Sequence, residues 1–231
     1  LIMKKFKIIT IDGPASSGKT TVAKMIAQKL NIPLLESGTL YRFVTYLLMK
    51  SEEPLQTYME NEKALINFLK ETFKKVKIEL TPAGTFIYWN GKLIKEELRE
   101  KEVENLVSQV SANKEVREFL TEFMRELGKK GNLITEGRDM GSIVFPYADI
   151  KIFLTADEEI RAQRRFKEKM EKGVYKEKIL YEEVFSNIKF RDKLDSKRKV
   201  APLIIPEGAY IIDTSHLTPE EVLNEILKII K

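Results

Sequence analysis

Residues 6–21 read FKIITIDGPASSGKTT, and the order of residue types in that stretch decides the fold. With the residues on either side, KFKIITID (5–12) is β-branched and too short for a helix, so it reads as a buried strand ending at Asp12. After the Gly/Pro/Ser loop, KTTVAKMIAQKL sets Val22, Ile26 and Leu30, with Ala23 and Ala27, at helical spacing. Between them Gly13, Pro14, Ala15, Ser16, Ser17, Gly18, Lys19 and Thr20 satisfy G-x-x-x-x-G-K-[ST] in full. Such a loop points consecutive N–H groups inward, adds the positive end of a helix, and carries the lysine to the outer phosphates of a nucleoside triphosphate. Thr20 and Thr21 are placed for magnesium and α-phosphate contacts. GTPases, motors and small-molecule kinases all use this loop, so the destination of the phosphate has to be read elsewhere.

Composition removes several chemistries. The 231 residues include no cysteine, which excludes disulfides, thiolate catalysis and cysteine-bound zinc, and one histidine, His216, which leaves little room for a histidine-based metal site or triad. What remains is Lys, Arg, carboxylates, hydroxyls and backbone groups. Hydrophobic residues at 43% and charged residues at 32% are those of an ordinary soluble globular protein. No apolar run approaches the roughly 20 residues that span a bilayer. A cytoplasmic protein with no membrane partner is expected. The net charge of +5 suits an anionic partner without choosing between nucleotide and nucleic acid.

Beyond the loop, IPLLES reads as a second short strand, and GTLYRFVTYLLMK as a helix with Leu40, Val44, Leu47 and Leu48 on one face. The pattern so far is α/β with parallel strands. From Ala64 a helix, ALINFLKETFKK, leads into VKIEL, GTFIYW and KLI, with Asn90-Gly91 as a hairpin signal. A small antiparallel sheet inserted into a parallel fold is a separate subdomain. EKEVENLVSQVSANKEVREFLTEFMREL is helical with a break near Ser111 to Asn113. The parallel rhythm resumes in NLITEG, ADIKIFLTA and AYIIDTS, with a charged helical stretch at 157–200 between the last two. Thr218, Pro219 and Glu221 form the N-cap, N1 and N3 signature of a final helix.

Arginines mark a second anion site. Arg42 lies one turn into the second helix, Arg117 in the long helical stretch, Arg138 just past a strand end, and Arg191 and Arg198 flank Asp195 near the last core strand; ligands of such sheets bind at the carboxyl ends of the strands. Any one of them alone reads as a solvated surface charge; several on one rim point to phosphate. Glu136, ending an apolar strand, resembles a Walker B carboxylate that holds magnesium through water. Arg161, Arg164 and Arg165 share one helical face, either as part of a charge-laced helix or as a lid that closes arginines over the transferring phosphoryl.

In these residues the chain resembles the bacterial-type cytidylate kinases among the nucleoside monophosphate kinases. ITIDGPASSGKTTVAK, LLESGTLYR, NLVSQVSANKEVRE, TEGRDMGSIVFPYADIKIFLTA, RAQRR, RDKLDSKRKVAPL and IIDTSHLTPEEV occur in that family's order over essentially the whole chain. GRDMGSIVFP and RDxxDSxRxxAPL are its specific motifs; the phosphate loop is not. The resemblance implies that Ser37 and Arg42 hold the acceptor and that Ser108, Arg117 and Asp139 read the cytosine edge. It also implies that Arg138 and Arg191 bind phosphate or sugar, Asp195 takes the sugar hydroxyls, and Arg198 contacts the acceptor phosphate. Two departures stand out: Thr20 where many members have Gly, and Glu36 where many have Asp.

The expected fold is a three-layer α/β P-loop NTPase fold with a five-stranded parallel sheet, an inserted antiparallel β/helical monophosphate-binding subdomain and a short helical lid. Its divisions are core 1–62, insert 63–100, core 101–156, lid 157–178 and core 179–231. The expected reaction is ATP + CMP ⇌ ADP + CDP with Mg²⁺, dCMP also serving. Catalysis is assigned to Lys19, Arg138, Arg164 and Arg191, ATP binding to residues 13–21, and the metal to Thr20 and Glu136. A monomer is the default. The alternatives are a kinase for UMP, AMP or another small acceptor and, more distantly, a nucleotide switch or nucleic-acid-binding module, for which aromatic platforms among the basic residues are lacking.

Overall fold

The computed structural model describes residues 8–172 and 180–230. Strand β1 (Ile8–Asp12) is buried along its whole length, as a strand covered on both faces must be. It sits at the centre of a five-stranded sheet in the order β2-β6-β1-β7-β8, where β2 is Leu34–Glu36, β6 Leu133–Gly137, β7 Ile150–Thr155 and β8 Tyr210–Asp213. Every neighbouring pair is parallel. This is the five-stranded parallel core expected from the sequence.

The alternation of β1 sorts the two faces. Ile9 and Ile11 pack with Val22, Ala23 and Ile26 of α1 (Lys19–Leu30) and with Val222 and Ile226 of α9 (Pro219–Ile230). Ile8 faces the other side, among Leu40, Val44, Leu47 and Leu48 of α2 (Ser37–Met49) and Val144 and Phe145. Asp12 shares Ile8's parity on the strand, which matters below. The box at the start of α9 is formed: Thr218 N and Oγ1 donate to Glu221 Oε2 at 2.8 and 2.9 Å.

Short helix α3 (Leu55–Glu60), not foreseen, precedes α4 (Glu62–Phe73), whose Asn61 cap accepts from Ala64 N at 3.1 Å. The antiparallel sheet follows as β3 (Val76–Thr81), β4 (Gly84–Trp89) and β5 (Lys92–Ile94). Asn90 and Gly91 turn β4 into β5 with φ of 50° and 78°, the left-handed pair such a hairpin needs. This sheet has no separate core: Leu65, Leu69, Ile87 and Ile94 belong to the same buried cluster as Phe43, Val110 and Phe145. Thr85 joins it to the edge of the main sheet, where its Oγ1 accepts from Glu36 N at 2.8 Å and donates to Leu34 O at 3.0 Å. Glu36 completes the joint, Oε2 accepting from Thr85 N at 3.0 Å and Oε1 pairing with Lys24 at 3.1 Å.

The long helical stretch divides into α5 (Lys101–Ala112) and α6 (Lys114–Gly128) at Asn113, which caps α6 by accepting from Val116 N. After β6 the chain makes a five-residue π turn, Met140–Val144, that the sequence does not announce. Residues 157–200 contain two helices, α7 (Glu158–Lys172) and α8 (Tyr181–Lys197); residues 173–178 of the expected lid lie outside the described residues. Among the described residues no helix is long and apolar enough to cross a membrane.

Candidate active site

The phosphate loop leaves β1 through Gly13, at φ 150°, where a Cβ would lie 2.0 Å from Leu154 O, and enters α1 through Gly18 at φ 91°. No other residue type fits the first position. Lys19 is buried, and its Nζ donates to Pro14 O at 2.6 Å and to Ser17 Oγ at 3.4 Å. Burial, and then the Arg138 guanidinium, push the Lys19 ammonium down to about 7 against the pull of Glu136 and Asp12. Thr20 Oγ1 donates to Glu136 Oε1 at 3.3 Å, and burial raises the Glu136 carboxyl against the opposing charge of Lys19.

The acceptor side is a ring of paired charges. Arg117, on α6, sends Nη2 to Asp139 Oδ2 at 2.5 Å, with both side chains buried. Arg138 Nε meets Asp195 Oδ2 at 2.9 Å, and Arg198 Nη1 meets Asp195 Oδ1 at 3.3 Å. Arg198 Nη2 lies 3.8 Å from Asp139 Oδ1 and, like Arg117 Nε, has no hydrogen-bond partner among the described residues. Arg191 Nε reaches Ser108 Oγ at 3.4 Å. Arg42 Nη1 donates to Leu98 O at 3.1 Å, and Ser37 Oγ to Glu136 O at 2.9 Å. Burial, and then the nearby cations Arg42 and Arg165, lower the Arg191 guanidinium to about 10. Guanidinium N–H groups without acceptors, beside other cations, are the donors that an anion would need.

Two cavities meet here. The inner one, about 270 Å³, is lined by Ser37, Arg42, Ser108, Arg117, Arg138, Asp139, Arg191, Asp195 and Arg198, so all nine expected acceptor residues face it. The outer one, about 960 Å³, runs from Ser16–Val22 past Arg164 to Thr214, Leu217 and Pro219. Lys19, Thr20, Arg42, Glu136 and Arg165 line both. A group bound through the phosphate loop would therefore present its far end to the inner cavity across those five residues. Among the described residues no three His, Asp or Glu gather to hold a metal.

The three arginines of α7 do not converge. Arg161 is buried, donating to Ala156 O at 2.9 Å, Ala15 O at 3.2 Å and Asp192 Oδ2 at 2.6 Å. Arg164, expected over the transferring phosphoryl, instead spends both terminal nitrogens on Thr214 Oγ1 and O at the outer cavity. Arg165 pairs with Glu104 and Glu168 and is the member that stands at the junction. One helical stripe carries all three, but long flexible side chains let each find a different partner.

Residues outside the expected set also belong here. Tyr41 lines the inner cavity with its hydroxyl buried and without a hydrogen-bond partner among the described residues, its ring 5.1 Å from the Arg117 guanidinium. Its place in LYR, beside Arg42, was the available signal; its apolar spacing hid it. Glu104 and Asp192 anchor Arg165 and Arg161. Asp12 accepts from Met140 N and Gly141 N.

The family model described as Cytidylate kinase matches residues 9–231. A cytidylate kinase of Fervidobacterium nodosum is 45% identical over 224 residues, covering 96% of this chain and 95% of its own. One of Thermosipho melanesiensis is 44% identical, with 96% of each chain covered. Among solved structures, an uncharacterised protein from Eubacterium ventriosum covers 96% of this chain and 97% of its own at 15% identity and a TM-score of 0.49.

Proposed function

The chain belongs to the cytidylate kinase family, and we propose that its two meeting cavities transfer the γ-phosphoryl of ATP to CMP, giving ADP and CDP, with dCMP as a second acceptor. The observation that supports this reading is the junction: Lys19, Thr20, Arg42, Glu136 and Arg165 border both cavities, as donor and acceptor phosphates meeting end to end would require.

ATP takes the outer cavity, its phosphates on residues 13–21 and its base toward Arg164, Thr214 and Pro219. CMP takes the inner one. Asp139 accepts from the cytosine N4 amino group while Arg117 and Ser108 face the O2 and N3 acceptors; uracil would set its O4 acceptor against Asp139. Arg42 and Arg198 hold the acceptor phosphate, Asp195 the sugar hydroxyls, and Arg138 and Arg191 the phosphates. The donor set fits magnesium, which takes one or two protein oxygens and leaves its other positions to phosphate and water. Thr20 would hold it directly and Glu136 through water, and it would offset charge on the β- and γ-phosphates.

The acceptor phosphate oxygen is already ionised at neutral pH, so no general base is needed. Lys19, Arg138 and Arg191 neutralise the equatorial oxygens of the moving phosphoryl, and the protein's contribution is position and charge. Arg164 acts from the nucleotide side. Every group in the scheme comes from one chain, so a monomer suffices.

The test is phosphoryl transfer from Mg-ATP to CMP, dCMP, UMP, AMP and GMP, with Asp139→Asn in parallel. CMP and dCMP should dominate, and the variant should lose chiefly its discrimination against UMP. ATP binding without transfer to any of the five would overturn the reading.

A further inference from the structure

We infer that Asp12 is a positioning residue: its carboxylate fixes the loop carrying Arg138 and Asp139 in register with the phosphate loop, which begins one residue later. The inference rests on the reading of the inner cavity as the CMP site.

Asp12 is fully buried at the end of β1. Its Oδ1 accepts from Met140 N at 2.8 Å and its Oδ2 from Gly141 N at 2.7 Å, one oxygen for each donor. Its backbone pairs with Gly137 in the ladder between β1 and β6. Residues 137 and 140–141 are thus both tied to Asp12, and the two residues spanned between these ties are Arg138 and Asp139. In the other direction the chain passes straight into Gly13, held against Leu154 O. One residue therefore sets the distance between the donor loop and the base-reading carboxylate.

The fit is tight on both sides. A Cβ on Gly141 would lie 2.7 Å from Thr10 Oγ1 and 3.2 Å from Asp12 Oδ2, so the N–H can approach the carboxylate only because residue 141 has no side chain. An asparagine at position 12 has one acceptor oxygen for two donors and turns its own N–H toward one of them. Asp12 reaches the 140–141 turn by hydrogen bonds, and its charge also acts on Lys19 of the phosphate loop and on Asp139. Its carboxyl is pushed up to about 6, chiefly by burial, and is still ionised at neutral pH.

The experiment is steady-state kinetics of Asp12→Asn and Gly141→Ala with CMP and UMP varied at saturating Mg-ATP, beside ATP affinity without acceptor and a melting curve. Each variant should raise the KM for CMP about tenfold, the scale of a lost charge-assisted hydrogen bond. Each should narrow the CMP-to-UMP ratio of kcat/KM and leave ATP affinity within about twofold. Because both break the same contact from opposite sides, the double variant should lose less than the sum of the singles. A folded Asp12→Asn with unchanged KM and unchanged discrimination would make Asp12 a buried structural acid and overturn the inference, as would equal losses in CMP and ATP binding. If Asp12→Asn does not fold, Gly141→Ala decides by the same criteria. Failure of the wild-type chain to phosphorylate CMP would instead refute the proposed function, a result distinguishable before any variant is compared.

Discussion

Arg117 Nη2 stands 2.5 Å from Asp139 Oδ2, and each side chain is 2% exposed. The pair joins α6 to the turn after β6 and both residues line the inner cavity; beside it, Arg117 Nε and Arg198 Nη2 are buried without hydrogen-bond partners among the described residues. Taking two charges out of water costs free energy that only their mutual attraction and hydrogen bonds offset, so each depends on the other.

Removing one member should show that cost. Asp139→Ala leaves the Arg117 guanidinium buried and unpaired, and the expected loss is about 3–5 kcal/mol by urea unfolding. Asp139→Asn preserves shape and one acceptor oxygen and should lose clearly less stability than the alanine. If alanine costs under about 1 kcal/mol, the pair is solvated in solution and the site is more open than described.

At the joint between the inserted sheet and the main sheet, one hydroxyl, that of Thr85, makes two of the hydrogen bonds. Thr85→Val has nearly the same shape but leaves Glu36 N–H without its acceptor and Leu34 O without its donor, both buried. An unsatisfied buried polar group costs about 1–3 kcal/mol, so the variant should unfold at measurably lower denaturant with an unchanged slope. A lowered slope would mean that the inserted sheet has come loose before global unfolding.

How much of this was legible beforehand follows from what each feature depends on. The phosphate loop, the five parallel strands and the Asn90-Gly91 hairpin depend on local residue types, so they could be read from the chain. The π turn at Met140–Val144 depends on Asp139 O accepting from both Ile143 N and Val144 N, a tertiary accommodation that GSIVFP does not encode by any period. Asp12 looked like the end of a strand, since the donors it serves lie 128 and 129 residues away. The three α7 arginines were correctly placed on one helix, but their directions are decided by Asp192, Thr214 and Glu104, on other elements.

Glu104 supplies a further prediction. It pairs with Arg165 and lies 3.7 Å from Lys169 Nζ, at a place where burial and neighbouring cations already depress Arg191. Its carboxylate offsets the charge of Arg165 and Lys169 at the junction of the two cavities, and under the proposed function it would compete there with a phosphate. Glu104→Gln should therefore lower the KM for CMP, by about threefold given the usual worth of a partly exposed pair. A rise in KM would mean that Glu104 orders Arg165 for the substrate rather than occupying it.

The pH dependence of stability tests the state of Asp12 independently of kinetics. Its carboxyl is pushed from the usual 3.8 up to about 6, burial being the largest cause, with the N–H groups of Gly141 and Met140 opposing it. A carboxyl raised in the folded state holds its proton more tightly there than in the unfolded chain. The contribution of this group is therefore fully present below about pH 4 and is lost as pH rises through about 6, a fall of about 3 kcal/mol at 1.36 kcal/mol per pKa unit. Asp12→Asn has no such group, so the difference in unfolding free energy between wild type and variant should decline across that window and be flat above it. The hydrogen bond lost in the variant adds a constant offset and leaves the slope untouched. A flat difference from pH 4 to 6 would mean that the two N–H donors and Lys19 balance the burial completely. The observed arrangement, one oxygen per donor with no water-exposed edge, instead implies an ionised carboxylate kept at neutral pH against its own desolvation because both donors of the 140–141 turn depend on it.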